Sequence, residues 1–236
     1  MNCKISLPAF FLILVVACSA TTHVSLENIL LTDDGLRIAH TYSEGKDPSV
    51  GIILLHMLNR DRTDYATFAK TLTEQGYPNI ALDSRGHGES DGNWQQFSKE
   101  QYYAMVLDVK AAQEFLTKKG IHTFIVIGAS IGANIALLAA AQQKDIIGVV
   151  ALSPGLEYHD VAPETAVKNL KTPVFFVAAK GDEYAALSTQ RLYELKPKPK
   201  EIKLYDGNGH GTQLFEKENL NILLLQWIKE QARNSI

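Results

Sequence analysis

Residues 123–143 read TFIVIGASIGANIALLAAAQQ, and the way this stretch changes period decides the fold. Thr123–Gly128 is a short, unbroken apolar run, the mark of a strand buried on both faces. Ile131–Gln143 is apolar nearly all round, so as a helix it belongs inside the protein, against the centre of a sheet. Between them stands Gly128-Ala129-Ser130-Ile131-Gly132, a G-x-S-x-G. Composition alone yields that pattern in roughly one chain in thirteen of this length. A buried strand before it and a buried helix after it supply the context in which it describes a strained strand-to-helix turn. Side chains two residues either side of the serine would collide with neighbouring elements, so glycines stand there. The serine hydroxyl is then exposed at a helix N-terminus, whose partial positive charge favours a developing anion.

Outward from this turn, strand-like and helix-like segments alternate without repeats or low-complexity linkers. Val24–Leu31 and Leu36–Tyr42 flank Asp33-Asp34-Gly35 and read as a hairpin. Val50–His56, Asn79–Asp83, Ile146–Leu152, Pro173–Ala179 and Glu201–Tyr205 read as further strands. Helical stripes cover Asp61–Gln75, Ser98–Lys119 (opened by the capping box Ser98-x-x-Gln101), Tyr184–Leu195 and Gln213–Gln231. The expectation is an α/β fold: a mostly parallel sheet of about eight strands, helices on both faces, antiparallel strands at one edge, and one domain over residues 24–236.

A serine hydroxyl is a poor nucleophile without a base. Two later strand ends offer partners: PVFFVAA runs into Lys180-Gly181-Asp182, and IKLYDG runs into Asn208-Gly209-His210-Gly211. Asp182 and His210 therefore fall at the same edge of the sheet as Ser130. The roles expected are attack by Ser130, proton transfer by His210 and orientation of the imidazole by Asp182. Asp160 or Glu157, after the sixth strand, stand as alternative acids, while Asp206 sits too near His210 in sequence. His56 and His87 read as structural loop residues, and His23, His40, His122 and His159 as surface positions outside any motif.

GASIGANIAL, DSRGHGES (Asp83–Ser90), LLH (Leu54–His56), the Asp182 strand end and NGHG (Asn208–Gly211) occur in an order and spacing that resemble the α/β-hydrolase superfamily over nearly all of Val24–Ile236. Within it the chain looks like small bacterial esterases and dienelactone-hydrolase-like proteins. The resemblance implies an oxyanion hole of two backbone N–H groups, from Ile131 and Leu58. Met57 stands where the family usually has Gly. Dienelactone hydrolases proper use a Cys nucleophile, so Ser130 argues against that activity.

Only Ser153–Lys171 separates the sixth strand from the next, and Pro154, Gly155 and Pro163 break any long helix there. That is a minimal cap, which points to an open site and short-chain carboxylic esters, small-molecule substrates cleaved through an acyl-enzyme. The alternatives are a serine peptidase or amidase of the same fold, or a catalytically inactive binding protein.

Twenty-three Lys+Arg against 26 Asp+Glu, with no basic block, argue against a nucleic-acid partner. Forty-six per cent hydrophobic residues suffice for a full core, and 21% charged residues with 16 Gly and 8 Pro exclude a disordered polymer. No dinucleotide or phosphate-loop fingerprint calls for a cofactor. The histidines form no H-x-x-x-H pair, so no metal is expected.

The N-terminus, NCKISLPAFFLILVVACSA, has Lys4 before the apolar run Ala9–Ala17, as in a secretory signal peptide. Val15-Val16-Ala17-Cys18 resembles the bacterial lipobox, which implies removal of residues 1–17 and lipidation of Cys18. The alternative is ordinary cleavage after Ala20. The expected location is the bacterial cell envelope, with the membrane touched only through a lipid anchor; Ser19 leans towards the outer membrane of a Gram-negative cell. The two cysteines, Cys3 and Cys18, leave no intramolecular disulfide after cleavage. Oligomeric state is not legible in the sequence.

Overall fold

The computed structural model describes residues 28–234. The expected signal peptide with Cys18, and His23, lie outside them. Eight strands form one sheet: β1 (Ile29–Leu31), β2 (Arg37–Ser43), β3 (Gly51–Leu55), β4 (Asn79–Leu82), β5 (Phe124–Ala129), β6 (Ile146–Leu152), β7 (Val174–Ala179) and β8 (Lys200–Tyr205). Their order is β1-β2-β4-β3-β5-β6-β7-β8. The β1–β2 and β2–β4 pairings are antiparallel; all others are parallel. Among the described residues seven α-helices accompany them: α1 (Ala66–Glu74), α2 (Lys99–Tyr103), α3 (Val106–Lys118), α4 (Ile131–Gln142), α5 (Glu164–Asn169), α6 (Glu183–Leu195) and α7 (Leu220–Asn234).

Strands β3 to β7 are buried on both faces because alternate residues feed two separate cores. Ile53, Leu55, Val126, Val149 and Phe176 meet α3, α4, α5 and α6 on one side. Ile52, Leu54, Ile127, Val150 and Val177 meet Phe68 and Leu72 of α1 and Leu224 and Ile228 of α7 on the other. A period of two on a strand whose every position is covered accounts for the continuous apolar runs. The sheet's direction of growth reverses between β3 and β5, since β4 adds on one side of β3 and β5 on the other. That switch opens a crevice at the carboxyl ends of β3 and β5.

Three expected helices are divided. Asp61–Gln75 begins as a 3-10 turn, Arg62–Tyr65, before α1. Ser98–Lys119 breaks after Tyr103, where Met105 N–H bonds Tyr102 C=O in a tight turn. The break separates two tasks: Tyr102 hydroxyl donates to Trp94 C=O, while α3 carries Asp108 inward. Gln213–Gln231 begins as a 3-10 helix, Gly211–Glu216, and passes through Asn219 at φ 65° before α7.

Asp108 and Arg85 are both essentially sealed from solvent. Arg85 Nε donates to Asp108 Oδ1 at 2.9 Å, its backbone N–H donates to Asp108 Oδ2 at 2.8 Å, and its Nη1 reaches Asp34 Oδ2 at 2.7 Å. The pair thereby joins the loop after β4, helix α3 and the β1–β2 turn. Between β6 and α5, the segment 153–161 is fastened to α4 by one side chain. Asn134 Nδ2 donates to Val161 C=O at 2.8 Å, and its Oδ1 accepts from Gly155 N–H at 3.0 Å.

Asn134→Ala leaves the buried Gly155 N–H without this partner, at about 1–3 kcal/mol, while Val161 C=O keeps its bond from Tyr158 N–H. A loss of about 1–3 kcal/mol in urea unfolding is expected, with faster amide exchange confined to 155–161. A neutral result would show that the segment holds itself.

His40, expected at the surface, is buried on β2 with its ring edge-on to Phe115 at 4.8 Å. Position 40 faces inward because β2 is covered by β4 on one edge and α3 on its face. Burial lowers the pKa of both His40 and His87 to about 4, from 6.5. An unfolded chain therefore binds more protons than the native one between pH 4 and 6.5, and stability rises with pH across that window. Each histidine accounts for up to about 3 kcal/mol of that loss on acidification. Urea midpoints should fall as the pH drops from 6.5 to 4, and His40→Phe should make the slope shallower; an unchanged slope would assign the acid loss elsewhere.

Candidate active site

The turn after β5 is built by contact rather than by local preference. A Cβ on Gly128 would lie 2.1 Å from Gly132 O, and one on Gly132 would lie 2.6 Å from both Leu55 O and His56 O. Backbone therefore packs on backbone at β3, and Ser130 between the glycines is forced to φ 54°, ψ −121°. A non-glycine residue there is strained, and the surrounding contacts sustain it. Ser130 N–H is held by Leu152 C=O at 2.8 Å. Its hydroxyl stands at the start of α4, where first-turn N–H groups have no partner within the helix.

The loops after β7 and β8 are tied together before they reach the serine. Lys180 N–H bonds Tyr205 C=O at 2.8 Å, and Gly181 N–H bonds Gly207 C=O at 2.9 Å. A Cβ on Gly181 would lie 2.1 Å from Asn208 Oδ1, so only glycine allows the loops this close. His210 is then aimed from three directions. Its N–H donates to Gln213 Oε1 at 3.0 Å, and Gly211 N–H donates to Ser153 Oγ at 3.0 Å. Thr212 hydroxyl donates to Asp64 Oδ2 at 2.7 Å.

The outcome is a continuous chain of hydrogen bonds. His210 Nδ1 lies 2.5 Å from Asp182 Oδ2, and His210 Nε2 lies 2.8 Å from Ser130 Oγ. With Nδ1–H donated to the carboxylate, Nε2 presents its lone pair to the serine hydroxyl. Ser130 is 6% exposed, while the His210 and Asp182 side chains are 35% and 20% exposed. The nucleophile candidate is thus recessed beneath a half-open imidazole.

Asp182 is the carboxylate that meets His210. Glu157 and Asp160 are exposed on segment 153–161, and Asp206 is paired with Lys180 at 2.7 Å. His56 is a joint between loops: Nδ1–H donates to Met57 C=O at 2.7 Å, and Nε2 accepts Ser84 N–H at 3.0 Å. Burial lowers its pKa, which suits this neutral tautomer. Met57 sulfur lies where a Cβ on Gly211 would come within 2.8 Å, so the methionine fills space that the His210 loop leaves by having glycine. Leu58, half-buried after β3, packs against the core on the helix α3–α4 side. Ile131 opens α4. Among the described residues no cluster of three or more His, Cys, Asp or Glu could hold a metal ion.

Three residues at the site escape a reading for motifs: Ser153, Asn134 and Tyr158. Ser153, at φ 50° and fully buried, anchors Gly211. Tyr158 hydroxyl donates to Ser153 C=O at 3.2 Å, and its ring stands edge-on to His210 at 6.1 Å. Asn134 carried a signal, being the lone polar side chain inside IGANIALLAAA; Tyr158 carried none.

Comparison with known proteins bears on the fold and on the segment around Ser130. A family model described as serine aminopeptidase, S33, matches residues 46–168, which include Ser130. The mouse sn-1-specific diacylglycerol lipase ABHD11 is 28% identical over 123 residues, a match that takes in 50% of this chain and 38% of that relative's length. Among solved structures, an esterase from Exiguobacterium antarcticum superposes with a TM-score of 0.72 at 14% identity, covering 86% of this chain and 99% of that one. Proline iminopeptidase from Mycobacterium smegmatis gives 0.73 at 13% identity, covering 88% and 99%. At such identities the structures speak for the fold alone. The eight-stranded sheet and the matched segment around Ser130 place the chain in the serine aminopeptidase (S33) hydrolase family of the α/β-hydrolase superfamily.

Proposed function

We propose that this protein is a serine hydrolase that cleaves short-chain carboxylic esters through Ser130, His210 and Asp182. The observation that carries this reading is the unbroken path from Ser130 Oγ through His210 to Asp182, at 2.8 and 2.5 Å. Ser130 attacks the ester carbonyl as His210 Nε2 takes its proton. Asp182 holds the imidazole in the required tautomer and steadies the imidazolium. The tetrahedral oxyanion forms at the start of α4, where the Ile131 and Leu58 N–H groups are its donors. His210 passes the proton to the leaving alcohol, and water then resolves the acyl-enzyme by the same steps in reverse order. Segment 153–171 holds a single six-residue helix, which supports a preference for short acyl groups.

Peptidase or amidase action is the second reading. It is favoured by the matched family's description and by the exposed Glu157 and Asp160 on the segment that carries Tyr158, carboxylates that suit a substrate amine. We also propose that the chain is exported from a bacterial cell and anchored through lipid on Cys18, supported by the run Val15–Cys18 after the apolar Ala9–Ala17. The bacterial modification adds more than one acyl chain, so such an anchor is firm.

A fluorophosphonate should label the wild-type protein at Ser130, and Ser130→Ala should lose the label and at least about a thousandfold in ester turnover. Acetyl and butyryl p-nitrophenyl esters should outpace the dodecanoyl ester, and aminoacyl p-nitroanilides should be slower still. No adduct on a folded wild type would leave a binding protein, and faster amide than ester turnover would install the peptidase reading. Mass spectrometry of the N-terminal peptide after expression in a bacterium should find lipidated Cys18, with Cys18→Ser released from membranes. A mature chain beginning at Thr21 would replace the anchor with plain secretion.

A further inference from the structure

We infer that the Tyr158 hydroxyl is a catalytic hydrogen-bond donor to the leaving-group oxygen, a role that rests on the ester-hydrolase reading above.

Tyr158 is held in place on every side. Its backbone forms a closed turn with Val161, N–H to C=O at 3.2 Å one way and 2.9 Å the other. Asn134, one helical turn after Ser130 on α4, holds Val161 at the end of that turn and Gly155 three residues before it. The ring lies over Gly155, where a Cβ would come within 2.6 Å of Cε2 and 2.7 Å of Cζ. Tyr184 packs edge-on at 5.7 Å and His210 at 6.1 Å, with an interplanar angle of 89° for the latter. Such fixed placement beside the imidazole exceeds what a covering residue needs.

The sheet order says which part of a substrate the phenol meets. β3 flanks the nucleophile strand on one side and β6 on the other. The oxyanion donors belong to the β3 side and the turn after β5. Tyr158 follows β6, on the side from which His210 approaches Ser130 Oγ. The leaving oxygen must lie within reach of His210 Nε2, because that atom delivers its proton. It therefore comes out on the Tyr158 side. As the carbon–oxygen bond breaks, its electron pair goes to the leaving oxygen, and the Nε2 proton follows to give the free alcohol. The phenol donates a hydrogen bond to that oxygen as charge develops and keeps its own proton throughout.

Two features fit the hydroxyl for this task. Its bond to Ser153 C=O is 3.2 Å, longer than the usual 2.7–2.8 Å for O–H to O, so a charged oxygen displaces that partner readily. Burial, followed by the nearby Asp182 charge, holds the phenol well above the ordinary tyrosine range. It is therefore a neutral O–H donor at working pH.

The test compares Tyr158→Phe with wild type on ethyl butyrate and p-nitrophenyl butyrate, reading kcat/KM, which reports the steps through acylation. Ethoxide needs help to leave and nitrophenolate does not. The expected result is a loss of about tenfold or more on the ethyl ester and less than threefold on the nitrophenyl ester, about one decade of selectivity. Unchanged fluorophosphonate labelling and thermal midpoint show that Ser130 and the fold are intact. Gly155→Ala, whose methyl displaces the ring, should reproduce the same selective loss and serves if the phenylalanine variant fails to fold. Equal losses on both esters, or no loss, would overturn the assignment while leaving the triad untouched. Absence of Ser130-dependent turnover in the wild type would instead remove the ester-hydrolase reading, and this one with it.

Discussion

The structure turns on the contact between the backbone after β5 and the carbonyls at the end of β3. Gly132 lies so close to Leu55 O and His56 O that no side chain fits, and Gly128 is pressed equally hard against Gly132. That contact sets the start of α4 against the sheet, drives Ser130 to positive φ and lifts its hydroxyl above the strand ends. Strain at one residue is tolerable because ten buried residues of α4, with two glycine-sized approaches, fix the helix from every side. The serine's position is thus set by packing that no rearrangement of a loop would relax.

Around this fixed point the remaining groups arrive on loops, and each loop is fastened to a neighbour. The β7 and β8 loops bond each other through Lys180, Gly181, Tyr205 and Gly207. The β8 loop is bonded to Ser153 after β6 and to Asp64 after β3. His56 joins the β3 and β4 loops. Parallel strands make this possible, since all their carboxyl ends open on one edge. The imidazole needs placement to a few tenths of an ångström, and mutual bracing of loops supplies it where any single loop would wander.

The segment after β6 has a double character. Its buried half, Ser153 and Gly155, belongs to the scaffold and takes the Tyr158 ring; its outer half carries His159 and two carboxylates towards solvent. His159 stacks on Tyr102 at 4.7 Å and stands edge-on to Trp94, which in turn stacks on His87. A run of aromatic contacts therefore connects the β6 segment to the β4 loop.

Much of the framework was legible in the residues themselves. Periodicity reports burial directly, so the runs at Val50–His56 and Thr123–Gly128 named central strands, and the two glycines beside Ser130 named the tight turn. Chain order then put Asp182 and His210 at the right strand ends. Helix breaks at Tyr103 and Asn219 stayed hidden, because an apolar stripe continues across a change of direction that only a buried partner enforces. The inward turn of His40 and the sealing of Arg85 against Asp108 were equally out of reach. Which carboxylate meets His210, and what Ser153 and Asn134 hold, depend on residues 21 to 80 positions apart in the chain. Local sequence carries local periodicity and covalent spacing; contacts between distant segments exist only once the sheet has brought its strand ends together.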